Sequence, residues 1–158
     1  MIKKYLHTAQ SDLDTITPIR FCENETVNLI LSSFSNKAKQ SEIHLTIDAN
    51  LPDSYPFSNT ELCSLLSNAL ENAIQAAEQI TDSNRRIIRL RVFSKNNKLC
   101  IDLRNRYHKE PIFYQGLPVS KDREHGFGTK SMTYIVEKNG GVCKFSVKDG
   151  WFIFQATT

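Results

Sequence analysis

The sequence lacks the features that would place this chain in a membrane, among disulfide-rich proteins or on a nucleic acid. No apolar run approaches ~18 residues, the length that a membrane-spanning helix requires, and residues 1–5 lack the long apolar stretch of a signal peptide. The four cysteines stand singly, without a Cys-x-x-Cys pair, which argues against a zinc site and a disulfide framework. The net charge is only +3 and the basic residues are spread out, so no nucleic-acid partner is expected.

What remains is the composition of one small globular domain. A chain of 158 residues with 40% hydrophobic residues can bury a substantial core. The isolated cysteines are typical of small core residues in a reducing compartment. We therefore expect a single domain, with a short extra element at one end.

Hydrophobic periodicity predicts helices at 3–15, 59–80 and 128–138, and a further helix that begins at Asn24 and carries Val27, Ile30, Leu31 and Phe34 on one side. Alternating apolar residues and turn residues predict strands at 18–22, 43–47, 86–93, 99–103, 142–147 and 151–156, with hairpin turns at 95–98 and 148–150. Asn24 is the expected cap of the second helix, and Asn59 or Thr60 that of the long one. Residues 104–124 show no clean period and predict a long loop of the kind used as a lid. This order predicts an α+β fold, a two-layer α/β sandwich whose mixed, mostly antiparallel sheet carries helices on one face.

The long predicted helix bears two asparagines on an otherwise apolar surface. Asn68 and Asn72 are four residues apart and share one face. An amide oxygen is a hard ligand suited to Mg²⁺, and an amide adds no charge that would repel a polyphosphate. The alternative is that neighbouring side chains simply satisfy both amides.

A second segment places two glycines where the last helix is expected to begin. Gly126 and Gly128 tolerate unusual backbone angles and close approach, and a helix N-terminus presents free N–H groups to an anion. Lys130 and Ser131, in the first turn, could add phosphate contacts. The alternative is an ordinary helix cap after a flexible loop.

Taken together, these motifs resemble the GHKL or Bergerat ATP-binding fold of gyrase, heat-shock chaperone, histidine kinase and MutL proteins, and within it the Agr-type, peptide-sensing branch of bacterial histidine kinases. The resemblance covers residues 24–157 and is carried by Leu70-Glu71-Asn72-Ala73-Ile74-Gln75-Ala76, Gly116-Leu117-Pro118, His125-Gly126-Phe127-Gly128-Thr129-Lys130-Ser131 and Ile135-Val136-Glu137-Lys138-Asn139-Gly140-Gly141. It implies the cofactors ATP and Mg²⁺. It implies that the nucleotide contacts Asn68, Asn72, Asn105, Gly116, His125, Gly126, Phe127, Gly128, Thr129 and Lys130, with Mg²⁺ at Asn72 and Asn68.

Two departures from the superfamily pattern bear on this expectation. Asn105 stands where the superfamily carries an adenine-reading aspartate, and the first glycine box is missing. An amide oxygen can still accept from the adenine amino group, but without charge assistance, so we expect a Kd no tighter than micromolar. Asn68 stands where the hydrolytic branches carry a water-activating glutamate, and Glu71 lies about 100° off that helix face. The alternative for Asn105 is a strand-end turn residue.

The resemblance implies a protein histidine kinase that transfers the γ-phosphate of ATP to a histidine outside this fragment, then onward to a response regulator. Residues 1–16 would be the end of a dimerisation helix and residues 17–158 the catalytic domain. His7 would not be the acceptor, because the acceptor of the family lies upstream, in the first helix of the dimerisation hairpin. The whole protein would be a homodimer, and this part the cytoplasmic domain of a membrane-anchored sensor. The alternatives are an anti-sigma-type serine kinase on the same fold and a degenerate, nucleotide-free interaction module. His125 would contact phosphate or, alternatively, hydrogen-bond loop backbone.

Overall fold

A computed structural model describes the backbone of residues 20–52, 57–119 and 123–158, and the side chains of those ranges except 123–127. The predicted helix at 3–15 and His7 lie outside them. The elements in chain order are α1 (Glu25–Gln40), β1 (His44–Asn50), α2 (Asn59–Glu78), a 3₁₀ turn (Ser83–Arg85), β2 (Ile87–Lys95), β3 (Lys98–Arg106), β4 (Ile112–Tyr114), β5 (Leu117–Val119), α3 (Arg123–Lys138), β6 (Val142–Lys148) and β7 (Trp151–Thr157). No helix among the described residues is long and apolar enough to cross a membrane.

Five strands form one mixed sheet in the order β1-β2-β3-β7-β6. β1 runs parallel to β2, and the other neighbours are antiparallel. Buried residues alternate along β2 and β3 and join one core with the apolar sides of α1, α2 and α3. The helices therefore cover one face of the sheet, which confirms the predicted α+β sandwich.

Local capping and turn chemistry explain where most elements begin and end. The Asn24 Oδ1 accepts from the backbone N–H of Val27 at 3.0 Å, as predicted for the start of α1. Asn96 and Asn97 take positive φ values of 53° and 62° in the β2–β3 turn, and Asp149 and Gly150 take 52° and 78° in the β6–β7 turn. Such pairs of left-handed residues join strands by tight hairpins, and both predicted hairpins are confirmed.

The cap of α2 was predicted one or two residues too late. Ser58 keeps extended backbone, and its hydroxyl accepts from the Glu61 N–H at 3.4 Å, so Asn59 and Thr60 are already helical. Serine and asparagine are comparable caps, so local sequence did not separate the candidates.

The cysteines are all free among the described residues, but only Cys22 is buried.

The predicted loop at 104–124 is largely wrong. β3 continues to Arg106, and β4 and β5 form a small hairpin. The turn of that hairpin uses Gln115 at φ 51° and Gly116 at φ 79°. Two three-residue strands carry too little periodicity to be recognised. The predicted edge strand at 18–22 is not observed over its described residues, 20–22.

Candidate functional site

The two asparagines of α2 lie at the border of the buried face of the helix. Leu65, Leu66 and Ala69 are in the core, while Asn68 and Asn72 are half-buried. The Asn68 Nδ2 donates to Ser64 Oγ at 3.4 Å, and the Asn72 Nδ2 approaches Met132 Sδ at 3.9 Å. Both contacts are long, and a thioether is a weak acceptor. Neighbouring side chains therefore give these amides little hydrogen-bond energy.

Helix α3 meets the asparagines through a glycine. A β-carbon built on Gly128 would stand 3.5 Å from Asn72 Nδ2, 3.6 Å from Asn72 Oδ1 and 4.0 Å from Asn68 Oδ1. Thr129, next to it, is 6% exposed, whereas Lys130 is exposed. The structure thus brings together the two segments that the sequence singled out fifty residues apart.

The start of α3 differs from the prediction. The helix begins at Arg123, so the backbone of Gly126 and Gly128 lies inside it and not at its N-terminus. Glycine inside a helix costs about 1 kcal/mol relative to alanine, and packing against α2 can offset that. Their N–H groups are consequently not presented as free anion donors in this conformation. The side chains of His125 and Phe127 lie outside the described residues.

Asn105 ends an otherwise apolar row on the helix-covered face of β3. The row consists of Leu99, Ile101 and Leu103, and Asn105 itself is 2% exposed. Its Nδ2 donates to the Arg106 carbonyl at 3.0 Å. The strand continues through this position, so the alternative of a strand-end turn residue is wrong. Burying an amide among apolar side chains costs free energy unless the amide is hydrogen-bonded.

Gly116 is not brought to the asparagines by any described contact. It occupies the β4–β5 turn at φ +79°, and no described atom lies within 4 Å of a β-carbon built there. Its positive φ accounts for the glycine. The structure thus gives Gly116 a turn-forming role, and its predicted nucleotide contact stays a prediction.

Glu71 faces away from the site, as its helical position predicts. Its carboxylate pairs with Lys37 of α1 at 2.9 Å, on the exposed side of α2. No group of three or more His, Cys, Asp or Glu side chains able to hold a metal ion occurs among the described residues. A cation at Asn72 would therefore need oxygen ligands from a bound molecule or from water.

The sequence interpretation missed Met132, which is 1% exposed and contacts Asn72. Met132 lies one helical turn after Gly128, on the same side of α3. Its spacing of four residues from the glycine was the available signal. The site accordingly has one amide-bearing wall, from α2, and one wall from α3 that is flat at Gly128 and apolar at Met132.

Comparison with known proteins shows the family to which this chain belongs. A family model described as the GHKL domain matches residues 58–158, from the cap of α2 to the last strand. No curated protein matches the sequence.

Several solved structures share the fold. The catalytic domain of histidine kinase ThkA is 20% identical, with a TM-score of 0.66 over 85% of this chain and 90% of that chain. Histidine kinase AdeS from Acinetobacter baumannii is 14% identical, with a TM-score of 0.61 over 98% of this chain and 78% of that chain. The mycobacterial sensor histidine kinase MprB is 13% identical, with a TM-score of 0.60 over 84% and 92%. At these identities the likeness establishes the fold.

Proposed function

This chain belongs to the GHKL domain family, and we propose that it binds Mg-ATP between α2 and α3 as the catalytic domain of a sensor histidine kinase. The observation that carries the proposal is the approach of Gly128 to Asn72 and Asn68. The absence of a side chain at Gly128 leaves the amide oxygens within reach of a ligand at this junction. A larger residue there would cover them.

The donor chemistry at the junction fits a magnesium-bound polyphosphate. Asn72 and Asn68 supply neutral amide oxygens, which bind Mg²⁺ without repelling phosphate. Mg²⁺ usually completes its shell with water and substrate phosphate oxygens, and here the protein offers no acidic cluster among the described residues to do so. When bound, the ion would neutralise negative charge on the phosphates. Asn72 and Asn68 would then orient the polyphosphate along α2.

The base of the nucleotide is assigned to Asn105. Its position at the end of a buried row supports this, because the amide is held away from bulk water. The Nδ2 is engaged by the Arg106 carbonyl, which leaves the oxygen as the acceptor for the adenine amino group. The same position supports the peptide-sensing branch as part of the proposal, since that branch resembles this chain in having asparagine there.

The phosphates are assigned to the first turns of α3. Lys130 is exposed and so can extend toward a γ-phosphate, and Thr129 adjoins it. For the N–H groups of Gly126 and Gly128 to bind phosphate, the start of α3 must move from Arg123 toward Gly128. We propose that nucleotide binding selects this shorter helix, with His125 and Phe127 in the freed segment.

The proposed chemistry is transfer and not hydrolysis. Position 68 holds an amide, which cannot take a proton from water, and Glu71 is tied to Lys37 on another side of the helix. The residues of this chain would bind, orient and neutralise, as is usual in phosphoryl transfer. The acceptor would be a histidine of a dimerisation helix, and a response regulator would receive the phosphoryl group from it. A homodimeric, membrane-anchored sensor with this part in the cytoplasm completes the proposal.

A nucleotide-free interaction module is the second candidate, and one observation favours it. The helical backbone at Gly126 and Gly128 withholds the N–H groups that a phosphate would need. In such a module α3 would begin at Arg123 whether or not nucleotide is present. The two candidates differ in a single measurable property, which is nucleotide binding.

A thermal-shift experiment tests the proposal with Mg-ATP, Mg-ADP and Mg-GTP. At about 100 times Kd a ligand adds about 2.7 kcal/mol to the free energy of unfolding, roughly 5–10 °C for a domain of this size. We expect that shift with Mg-ATP, and none with Asn72→Ala. Glu71→Gln, one position away on the same helix, is the matched control and should keep the full shift. No shift in the parent protein with any nucleotide would establish the nucleotide-free module instead.

A further inference from the structure

The sheet has a second face that is covered by none of the helices in the part of the chain that the structure describes. We call it the open face, formed by the outward-pointing residues of β1, β2, β3 and β7. It holds a broad depression of about 700 Å³ whose lining mixes apolar residues with the polar and charged side chains of Thr46, Arg89, Arg91, Asp102, Arg104 and Gln155. The proposed nucleotide site lies on the opposite, helix-covered side, so the two are separate surfaces.

The open face carries an unfavourable pairing of like charges. Arg89 of β2 lies directly opposite Arg104 of β3 in the antiparallel register. Like charges at directly opposed positions destabilise a sheet. Arg106, two residues beyond Arg104 on the same strand, extends the positive charge toward β7. An arrangement that costs the free protein stability suggests that its charges meet an external anion.

The carboxylates of the open face neutralise only part of this charge. Asp102 is engaged by Arg104 at 2.8 and 3.1 Å and by Gln155 at 2.9 Å. Asp48 reaches Arg91 only at 3.7 Å, and both side chains are largely exposed. Arg89 has no carboxylate within 4.0 Å among the described residues. Its guanidinium is therefore available to an anion from outside the domain.

An aromatic ring holds two of the guanidinium groups in place. The guanidinium carbon of Arg106 lies 3.7 Å from the centre of the Trp151 ring, and that of Arg89 lies 5.0 Å from it. Arg106 also donates to the Asp149 carbonyl at 2.7 Å. Arginine side chains that are already stacked on a ring lose less conformational entropy on binding than unstacked arginines do, which favours recognition of carboxylates.

We propose that the open face binds the acidic surface of a partner protein, with Arg89, Arg91 and Arg106 as its carboxylate-binding groups. Arginine and tryptophan are the residues that dominate protein interfaces. Asp48 is largely exposed and reaches Arg91 only at 3.7 Å, so it would repel a phosphate backbone or an anionic lipid layer, whereas a protein can place a donor against it. Trp151 is already stacked with guanidiniums and is not offered to nucleic-acid bases.

A dye-labelled decaglutamate peptide is a suitable probe, and its fluorescence anisotropy reports binding. Trp151 is the only tryptophan of the chain, so its emission reports whether the peptide occupies the open face. We expect saturable binding that weakens with salt and changes Trp151 emission. Arg89→Glu should weaken the peptide at least tenfold, and Lys39→Glu, the same charge change on exposed α1, less than twofold. Asn72→Ala should leave peptide binding intact, whatever becomes of nucleotide binding.

Three results would overturn the proposal: no peptide binding, equal weakening by Arg89→Glu and Lys39→Glu, or tighter binding to a single-stranded DNA oligonucleotide or to phosphatidylglycerol vesicles than to the peptide. Circular dichroism confirms that each variant is folded. If Arg89→Glu does not fold, Arg89→Gln takes its place. The criterion for Arg89→Gln is a larger loss of affinity than Lys39→Gln produces.

Discussion

Gly128 of α3 lies against Asn72 of α2, and a β-carbon added to the glycine would stand 3.5 Å from the asparagine amide nitrogen. That separation is ordinary van der Waals contact. A single methyl group therefore fits without disturbing the fold, and anything larger meets the amide. Substitutions of increasing size at position 128 therefore test whether the junction between the two helices binds a ligand.

Gly128→Val should abolish the binding of Mg-ATP. The methyl groups of valine extend beyond the β-carbon and would cover the Asn72 amide, while Gly128→Ala should retain weakened binding. The measurement is the Mg-ATP dissociation constant by calorimetry for the parent and both variants. Unchanged binding in a folded Gly128→Val protein would remove Asn72 from the nucleotide site.

Asn105→Asp should change stability and affinity in opposite directions. A carboxylate at a position 2% exposed is unpaired in the free protein, so the melting temperature without ligand should fall. In the complex it would accept from the adenine amino group with charge assistance, worth about 1 kcal/mol more than the amide, or roughly fivefold in Kd. Calorimetry with Mg-ATP and Mg-GTP measures the effect. Tightening for both nucleotides, or for neither, would contradict adenine recognition by Asn105.

Gly126→Ala should raise the stability of the free protein and weaken Mg-ATP. Alanine favours the helix by about 1 kcal/mol over glycine, so it stabilises the long form of α3 that begins at Arg123. If nucleotide binds the shorter form, affinity should fall about fivefold. Ser33→Ala, at an exposed position of α1, also improves helix propensity and should leave the Mg-ATP dissociation constant unchanged. Equal affinity in parent and Gly126→Ala would show that α3 does not shorten on binding.

Asp102 should give stability that depends on pH. Burial by itself would raise the pKa of this carboxyl, but hydrogen bonds from Arg104 and Gln155, with the arginine charges, outweigh it and hold the pKa below its ordinary 3.8. A carboxyl with a lowered pKa stabilises the folded state above its ordinary pKa, and that contribution is lost as pH falls through the lowered value.

The corresponding measurement is the urea midpoint of the parent and of Asp102→Asn from pH 7 to pH 2.5. We expect the parent to be more stable at pH 7 and the difference to shrink below about pH 3.8. Asp48→Asn is the control, because its pair with Arg91 is long and exposed and should contribute little at any pH. If the stability difference between the parent and Asp102→Asn grew on acidification, the pKa of Asp102 would be raised in the folded state and not lowered.

Much of the fold followed from local pattern. The alternating apolar residues of β2 and β3, the hairpin turns at Asn96 and Asp149, and the Asn24 cap are short-range signals, and each was predicted. The β4–β5 hairpin was not, because three-residue strands have no usable period. The start of α3 was misplaced because glycines were interpreted as a boundary, although packing on α2 carries the helix past them.

The residues of the candidate site were also predicted only in part. Asn68, Asn72, Gly126 and Gly128 were recognised as segments, since four-residue spacing and paired glycines are visible in the sequence. Met132 was missed, because its four-residue spacing from Gly128 points to the site only once α3 is placed against α2. The assignment of Asn105 rested on family resemblance, and only the continuation of β3 to Arg106 excluded a turn.

The sequence by itself determined most of the elements, the sandwich and the residue types suited to a magnesium polyphosphate, because periodicity, caps and amide chemistry are local properties. Only the tertiary structure decided that Gly128 meets Asn72, that Glu71 pairs with Lys37, and that Arg89 lies opposite Arg104 on the open face. Those relationships join residues that are 15 or more positions apart in sequence. They exist because α1, α2 and α3 bury the same face of the sheet, which brings α2 against α3, while none of these described helices covers Arg89 and Arg104.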